Sequence, residues 1–127
     1  MTDTPDTPDA PDAPDAPDAH DADAGGADAS PDVDPSVLEE LFAVIEQRKA
    51  DLPEGSYTAS LFTHEKGENA VLEKLGEETT ELVLAAKDGD REALAHESAD
   101  IVYHLLVLLS MEDMDLADLL AELRERR

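Results

Sequence analysis

The chain has 127 residues, of which 33 are acidic and only 9 are Lys or Arg, giving a formal charge of −24 at pH 7. A nucleic-acid backbone or an anionic membrane is bound through clustered Lys and Arg, so this balance argues against both partners. The chain contains no cysteine, which excludes disulfides and thiolate metal sites. It shows no signal-peptide pattern, and its longest apolar run, residues 101–109, is too short to span a bilayer, so we expect a cytoplasmic protein.

Residues 1–34 differ in composition from the rest, with eleven Asp and six Pro but no Lys or Arg. From Asp3 to Asp18 the sequence repeats Asp-(Thr/Ala)-Pro every three residues. Proline removes a backbone donor in each repeat, the like charges repel, and little larger than Ala is available for burial. We therefore expect a disordered, polyproline-II-like acidic tail over residues 1–34.

The remaining residues, 35–127, are expected to form one folded domain, which is itself acidic. It holds 22 acidic and 9 basic residues. Hydrated carboxylates keep a protein soluble where salt screens charge repulsion. Such a surface suggests a halophilic source, and an ordinary acidic protein is the alternative.

Hydrophobic periodicity in this domain indicates helices and gives no strand signal. The predicted helices span about 36–50, 68–87, 91–110 and 116–124, with a loop over 53–58 and a short turn over 59–62. The first helix begins through Asp34-Pro35 or through a capping box at Ser36, whereas Gly89 ends the second and Asp90 caps the third. The fold class is therefore all-α, a small bundle of about four helices.

The third predicted helix is apolar on most sides after Glu97, which marks it as the most buried element. A domain of about 93 residues buries only a modest core by itself. We expect a homodimer, formed through the second and third helices, to complete the bundle.

Two carboxylate pairs lie in the second and third predicted helices, Glu78-x-x-Glu81 and, after fifteen residues, Glu97-x-x-Asp100. Residues three apart share a helix face, with Cβ atoms about 5–6 Å apart, so antiparallel packing would gather four carboxylates. Dehydrating carboxylates costs several kcal/mol per ion, and the third helix holds no Lys or Arg beyond its first residue. A hard divalent cation would compensate, which makes a phosphate-handling enzyme the first hypothesis.

Each pair also has a purely structural interpretation. Glu is a good helix former, so Glu78 and Glu81 could belong to a solvated face. Glu97 and Asp100 make the stronger case because they precede an apolar stretch and share a side with His104. Glu77 lies about 100° around the helix from Glu78 and could be an outer ligand or a surface acid.

The predicted loop over 53–58 and the basic residues near it give a second indication of a phosphate-binding site, and each also has a structural interpretation. Hydroxyls and backbone donors on a Gly-permitted turn suit a phosphorylated ligand, but they also suit an ordinary turn. Lys74 lies four residues before Glu78 and could meet a phosphate or form an exposed ion pair. Arg48 and Lys49, just before the loop, have the same two interpretations.

In order and spacing, these segments resemble the phosphoribosyl-ATP pyrophosphatase family of the all-α nucleoside-triphosphate pyrophosphatase (MazG-like) superfamily. The segments are Arg48-Lys49, 53–58 (PEGSYT), 74–78 (KLGEE), Glu81 and 97–109 (ESADIVYHLLVLL). The resemblance covers about residues 37–127 and leaves the tail outside. It implies hydrolysis of phosphoribosyl-ATP to phosphoribosyl-AMP and pyrophosphate, the second step of histidine biosynthesis, with Mg²⁺ or alternatively Mn²⁺.

The resemblance also implies roles for individual residues. Its metal ligands would be Glu78, Glu81, Glu97 and Asp100, and its general base would be Glu77, Glu78 or Glu81. Substrate contacts would come from Arg48, Lys49, Ser56, Tyr57, Thr58, Lys74, Lys87 and His104, with the Tyr57 loop closing over the ribosyl phosphate.

Two other functions stay open at this point. A house-cleaning pyrophosphatase for a simple or damaged nucleoside triphosphate would share the metal motif but should lack the loop over 53–58. A non-catalytic helical dimer that binds metal or a partner would use the same acids as structural ligands.

Overall fold

The computed structural model describes residues 33–127, and within that range it contains helices and turns but no strand. The helices are α1 (Val37–Asp51), α2 (Tyr57–Phe62), α3 (Glu68–Asp88), α4 (Arg91–Met111) and α5 (Leu116–Arg124). The all-α class is confirmed. The predicted acidic tail falls outside the described residues, apart from its last two positions.

The additional helix is α2, which was expected to be only a turn over 59–62. It begins two residues earlier because Ser56 acts as its N-cap, with Oγ accepting a hydrogen bond from the Ala59 N–H at 3.0 Å. A side-chain acceptor at this position satisfies a backbone donor that the first helical turn cannot satisfy internally.

The helix ends follow cap chemistry in two of the three predicted cases. Gly89 ends α3 in the left-handed conformation at φ 71°, and Asp90 caps α4 by accepting from the Ala93 N–H at 3.0 Å. The capping box at Ser36 is wrong, because Ser36 has helical backbone angles and its side chain makes no cap bond. The alternative entry through Asp34-Pro35 is the one observed, with the Ser36 N–H donating to Asp34 Oδ1 at 2.9 Å and the Val37 N–H to the Asp34 carbonyl oxygen at 3.0 Å.

The core forms where α1, α2, α3 and α4 meet. Its members are Phe42, Ile45, Leu61, Val71, Tyr103, Leu106, Val107 and, from α5, Leu116. Ile45, Val71, Leu106 and Val107 have no exposed surface. α3 packs most extensively against α4, and the short turn at Gly89 and Asp90 sets the two helices antiparallel.

A polar contact holds α1 to the far end of α4. The Lys49 ammonium donates to the Ser110 carbonyl oxygen at 2.7 Å and pairs with Asp113 at 3.0 Å. The buried Ser110 hydroxyl donates to Glu46 at 2.8 Å. A cation at a helix C-terminus is favourable because unsatisfied carbonyls make that end negative.

Several large apolar side chains on α3 and α4 lie outside this core. Leu72, Val83, Leu84 and Val102 are between 38% and 57% exposed. Within residues 33–127, none of the helices combines the length and apolar character that crossing a bilayer requires.

Substitution by Ala at Gly76 and at Gly89 should change the free energy of unfolding in opposite directions. A Cβ at either Gly76 or Gly89 would meet nothing within 4 Å, so only backbone preference counts. Gly89→Ala should lower the free energy of unfolding by about 1 kcal/mol, because the left-handed conformation costs an L-residue roughly that much. Gly76→Ala, inside α3, should raise it by about 0.5–1 kcal/mol. Denaturant unfolding of the two variants at constant salt measures both changes, and shifts of the same sign would contradict this account.

Candidate metal centre between α3 and α4

The four predicted carboxylates lie on the facing sides of α3 and α4. The charge of Glu78 acts on Asp100, and the charge of Glu81 acts on Glu97. This is the order that an antiparallel pair imposes, since each step toward the C-terminus of α3 matches a step toward the N-terminus of α4. Both of these pairwise interactions arise within one chain.

Glu97 carries the clearest sign of a missing partner. Its Oε1 is buried and accepts no hydrogen bond from the residues that the structure describes. Burial raises the pKa of this carboxyl, and the negative charge of Glu81, a hydrogen bond with Glu81 and the charge of Asp100 raise it further. A buried acceptor without a donor is costly, and a cation placed beside it would remove that cost.

Asp100 is in a comparable position. Burial is the main factor that raises its pKa, followed by the charge of Glu78. Three basic groups oppose this rise, namely His96, His104 and Lys74. The contact with His96 is direct, with Nε2 3.2 Å from Asp100 Oδ2.

His96 was missed by the sequence analysis. Its ring nitrogen and the carboxylate oxygens of Glu97 and Asp100 lie within 4.8 Å of one another, which is compatible with a shared metal ion. The spacing of four residues between His96 and Asp100, one helical turn, was the available signal. His96 is 68% exposed, so it lies at the rim of the site.

Glu78 is the most buried of the four acids, and it is bound to His104. Its Oε1 lies 2.8 Å from His104 Nδ1, and the exposed fractions of the two side chains are 9% and 5%. The other ring nitrogen of His104 lies 3.1 Å from the Tyr57 hydroxyl. The structure thus places His104 behind a carboxylate, inside the protein.

The loop residues contact the protein itself. The Ser56 hydroxyl is engaged as the cap of α2, and Thr58, 2% exposed, is hydrogen-bonded to the hydroxyl of Tyr103. Tyr57 contacts His104. These bonds hold α2 against α4, and a further role of the loop in substrate binding stays a prediction.

The remaining predicted site residues are distributed over the domain. Lys74 is half-buried and its charge reaches Asp100, whereas Lys87 is exposed in the last turn of α3. Lys49 binds the end of α4, as described above, and Arg48 is half-buried beside it in sequence. Glu77 and Glu81 are exposed.

The donor set fits a hard divalent cation. Glu78, Glu81, Glu97 and Asp100 supply carboxylate oxygens, which Mg²⁺ and Mn²⁺ prefer. The orphaned oxygen of Glu97 is the observation that such an ion would explain. With several waters and phosphate oxygens completing its coordination, the ion would link this acidic face to a polyphosphate.

Comparison with known proteins gives a consistent result. The sequence profile of the family described as PRA-PH, phosphoribosyl-ATP pyrophosphohydrolase, matches residues 38–127. A phosphoribosyl-ATP pyrophosphatase of Haloarcula marismortui is 82% identical over 91 residues, which cover 72% of this chain and 93% of that protein.

Two further relatives bear the same name. The protein from Natronomonas pharaonis is 76% identical over 91 residues, covering 72% of this chain and 90% of its own length. The protein from Methanococcoides burtonii is 50% identical over 96 residues, covering 76% of this chain and 97% of its own length. The profile match spans α3 and α4 and includes all four carboxylates of the site.

The raised pKa values predict how the metal-free protein responds to pH. An acid whose pKa is higher in the folded state contributes stability below its unfolded pKa, and this contribution is lost as the pH rises through the folded pKa. In chelator, Glu97→Gln should therefore be more stable than the parent at pH 7, with the difference vanishing near pH 4. Thermal midpoints across this range, at constant salt, provide the measurement.

Glu77→Gln is the matched control for this experiment, because it removes an exposed charge one residue from Glu78. It should leave the pH dependence nearly unchanged. A Glu97→Gln protein that melts below the parent at pH 7 would show that the Glu97 charge has a stabilising partner.

Proposed function

The chain belongs to the phosphoribosyl-ATP pyrophosphohydrolase family, and we propose that it hydrolyses phosphoribosyl-ATP to phosphoribosyl-AMP and pyrophosphate, the second step of histidine biosynthesis. The match over residues 38–127 supports this, because it includes every helix that builds the site. The observation that carries the proposal is the set of four facing carboxylates with one buried oxygen left without a donor.

In this proposal Glu78, Glu81, Glu97 and Asp100 hold Mg²⁺, or Mn²⁺ as the alternative. When bound, the ion neutralises triphosphate charge and makes a coordinated water more acidic. The donor chemistry supports a hard cation, and the acidic domain needs one, because a polyphosphate would otherwise be repelled by carboxylates of the same sign.

The solvent exposure of the three candidate side chains, Glu77, Glu78 and Glu81, indicates which of them acts as the general base. Glu78 is buried and already accepts a hydrogen bond on Oε1, so it is suited to holding a fixed position. Glu77 and Glu81 are exposed on the same helix and have room to accept a proton from an attacking water. We therefore place the base at Glu81 or Glu77.

Lys74 is the cation best suited to contact the substrate phosphates. It is half-buried, and its positive charge already reaches Asp100 at the site. Arg48, Lys87 and the 53–58 loop complete the proposed substrate contacts, whereas Lys49 is engaged at the C-terminal end of α4.

We also propose that the active form is a homodimer. The exposed apolar residues Leu72, Val83, Leu84 and Val102 lie on α3 and α4, the two helices that carry the site. Packing them against a second copy would remove this surface from water, at roughly 25 cal/mol for each Å² of apolar area buried.

Pyrophosphate release should be fast with phosphoribosyl-ATP and much slower with ATP or dUTP, and chelator should abolish it. Preference for dUTP or ATP would indicate a house-cleaning pyrophosphatase. Tight metal binding without turnover on any of the three would indicate a non-catalytic protein. A coupled pyrophosphate assay with added Mg²⁺ or Mn²⁺ distinguishes these outcomes.

In the same assay Asp100→Asn should lower turnover by about 100-fold or more, because a charged ligand is lost where transition-state charge is stabilised. Glu92→Gln is the matched control, since Glu92 is an exposed acid in the first turn of α4. It should retain full turnover. An Asp100→Asn protein with full specific activity would contradict the site assignment.

Light scattering should give a mass of twice the 13.7 kDa chain. Leu84→Glu, which places a charge at an exposed apolar position of α3, should shift the protein toward the single-chain mass. The outward-facing Glu92→Gln should not. A parent protein that scatters as a single chain would contradict the dimer.

A further inference from the structure

His104 lies at the centre of a chain of hydrogen bonds that begins at α2 and ends at a carboxylate of the proposed site. The residue is 4% exposed. Its Nδ1 lies 2.8 Å from Glu78 Oε1 and 3.1 Å from the backbone oxygen of Asp100, while its Nε2 lies 3.1 Å from the hydroxyl of Tyr57.

These contacts determine which nitrogen carries the hydrogen. A backbone carbonyl can only accept, so Nδ1 must be the donor to Asp100 O, and the same N–H is shared with Glu78 Oε1. In the neutral ring Nε2 is then an acceptor, and the Tyr57 O–H donates to it; in the protonated ring Nε2–H donates to the Tyr57 oxygen, and Nδ1–H is the same in both. Every polar atom of the buried imidazole therefore has a partner of the right kind.

Packing fixes the ring plane as well. The ring of His104 contacts Tyr103 edge-on at a centroid distance of 4.9 Å and Tyr57 at 6.1 Å. Tyr57 is the first residue of α2, and its neighbours anchor that helix, Ser56 as its cap and Thr58 through the bond to Tyr103. The position of the imidazole is thus set by α2 and α4 together.

The fixed imidazole in turn restricts the orientation of the Glu78 carboxylate. The terminal torsion of a Glu side chain is broad, so an isolated carboxylate on α3 would rotate freely. The His104 N–H holds Oε1 and leaves Oε2 as the oxygen that can face Glu97 and Asp100. Partners that orient a metal ligand in this way typically change metal affinity by about 10–100-fold when removed.

We propose that His104 is a positioning residue, which orients Glu78 for the divalent cation through Nδ1–H and is itself held by the Tyr57 hydroxyl, so that the segment leading into α2 is coupled to the metal site. The proposal rests on the proposed function and replaces the expected phosphate contact of His104. It assigns Tyr57 an internal task in addition to any contact with substrate.

The test is the affinity of the full chain for Mn²⁺, measured by titration calorimetry, because this readout does not depend on turnover. An Asn amide N–H can take the place of Nδ1–H, whereas a Gln amide reaches the position of Nε2. His104→Gln should weaken Mn²⁺ binding about 10–100-fold, and His104→Asn should recover most of the loss. Tyr57→Phe should produce a smaller loss of the same sign.

Tyr103→Phe is the matched control, because it also removes one tyrosine hydroxyl from a hydrogen bond in this cluster, but not one that reaches His104. It should lower the thermal midpoint, because a bond that anchors α2 is lost, and should weaken Mn²⁺ binding less than Tyr57→Phe does, because the bond to the imidazole remains. The double variant Tyr57→Phe/His104→Asn should bind Mn²⁺ no more weakly than His104→Asn, since Tyr57 acts through the ring.

Each of the other possible results would refute a specific element of this proposal. Equal Mn²⁺ affinity in His104→Gln and the parent would refute the positioning role, as would equal losses in His104→Gln and His104→Asn. Additive losses in the double variant would refute the link through Tyr57. If His104→Gln does not fold, parental affinity in Tyr57→Phe together with a normal thermal midpoint refutes the coupling. Failure of the parent chain to bind Mn²⁺ would instead overturn the metal site.

Discussion

The antiparallel packing of α3 on α4 places acid opposite acid, and the rest of the molecule accommodates this arrangement. The charge of Glu78 acts on Asp100 and that of Glu81 on Glu97, so the most extensively packed helix pair of the domain also brings like charges together. Apolar packing elsewhere along the pair must offset the repulsion. A cation bound between the acids would turn the same geometry from a cost into an attraction.

Much of this could be predicted from local sequence, because local rules govern it. Helical periodicity predicted α1, α3, α4 and α5 to within about a residue, and the caps followed from the conformational freedom of Gly89 and the side-chain acceptor of Asp90. Residues three apart share a helix face, so the carboxylate pairs could be recognised before the packing was known. Because α3 and α4 form an antiparallel hairpin, Glu78 must lie opposite Asp100 and Glu81 opposite Glu97.

What escaped prediction depends on partners that are distant in the chain. Thr58 lies in a loop that suits a phosphate, but its hydroxyl meets Tyr103, which is 45 residues away. Lys49 precedes that loop, yet it binds Ser110 and Asp113. A Thr hydroxyl or a Lys ammonium can bind a phosphate as well as another residue of the chain, so the residue type alone does not tell which of the two it contacts.

The pairing of lysines with acids of the same chain affects the rate at which a polyanionic substrate would associate with the protein. The chain has four lysines, and two of them, Lys49 and Lys66, are paired with acids of the same chain at 3.0 Å and 2.8 Å. The formal charge of −24 gives a long-range field that would repel the polyanion of the proposed substrate. Salt screens such a field within a few ångströms at molar concentration. The diffusional on-rate should therefore rise with ionic strength, the reverse of an enzyme that steers its substrate by attraction.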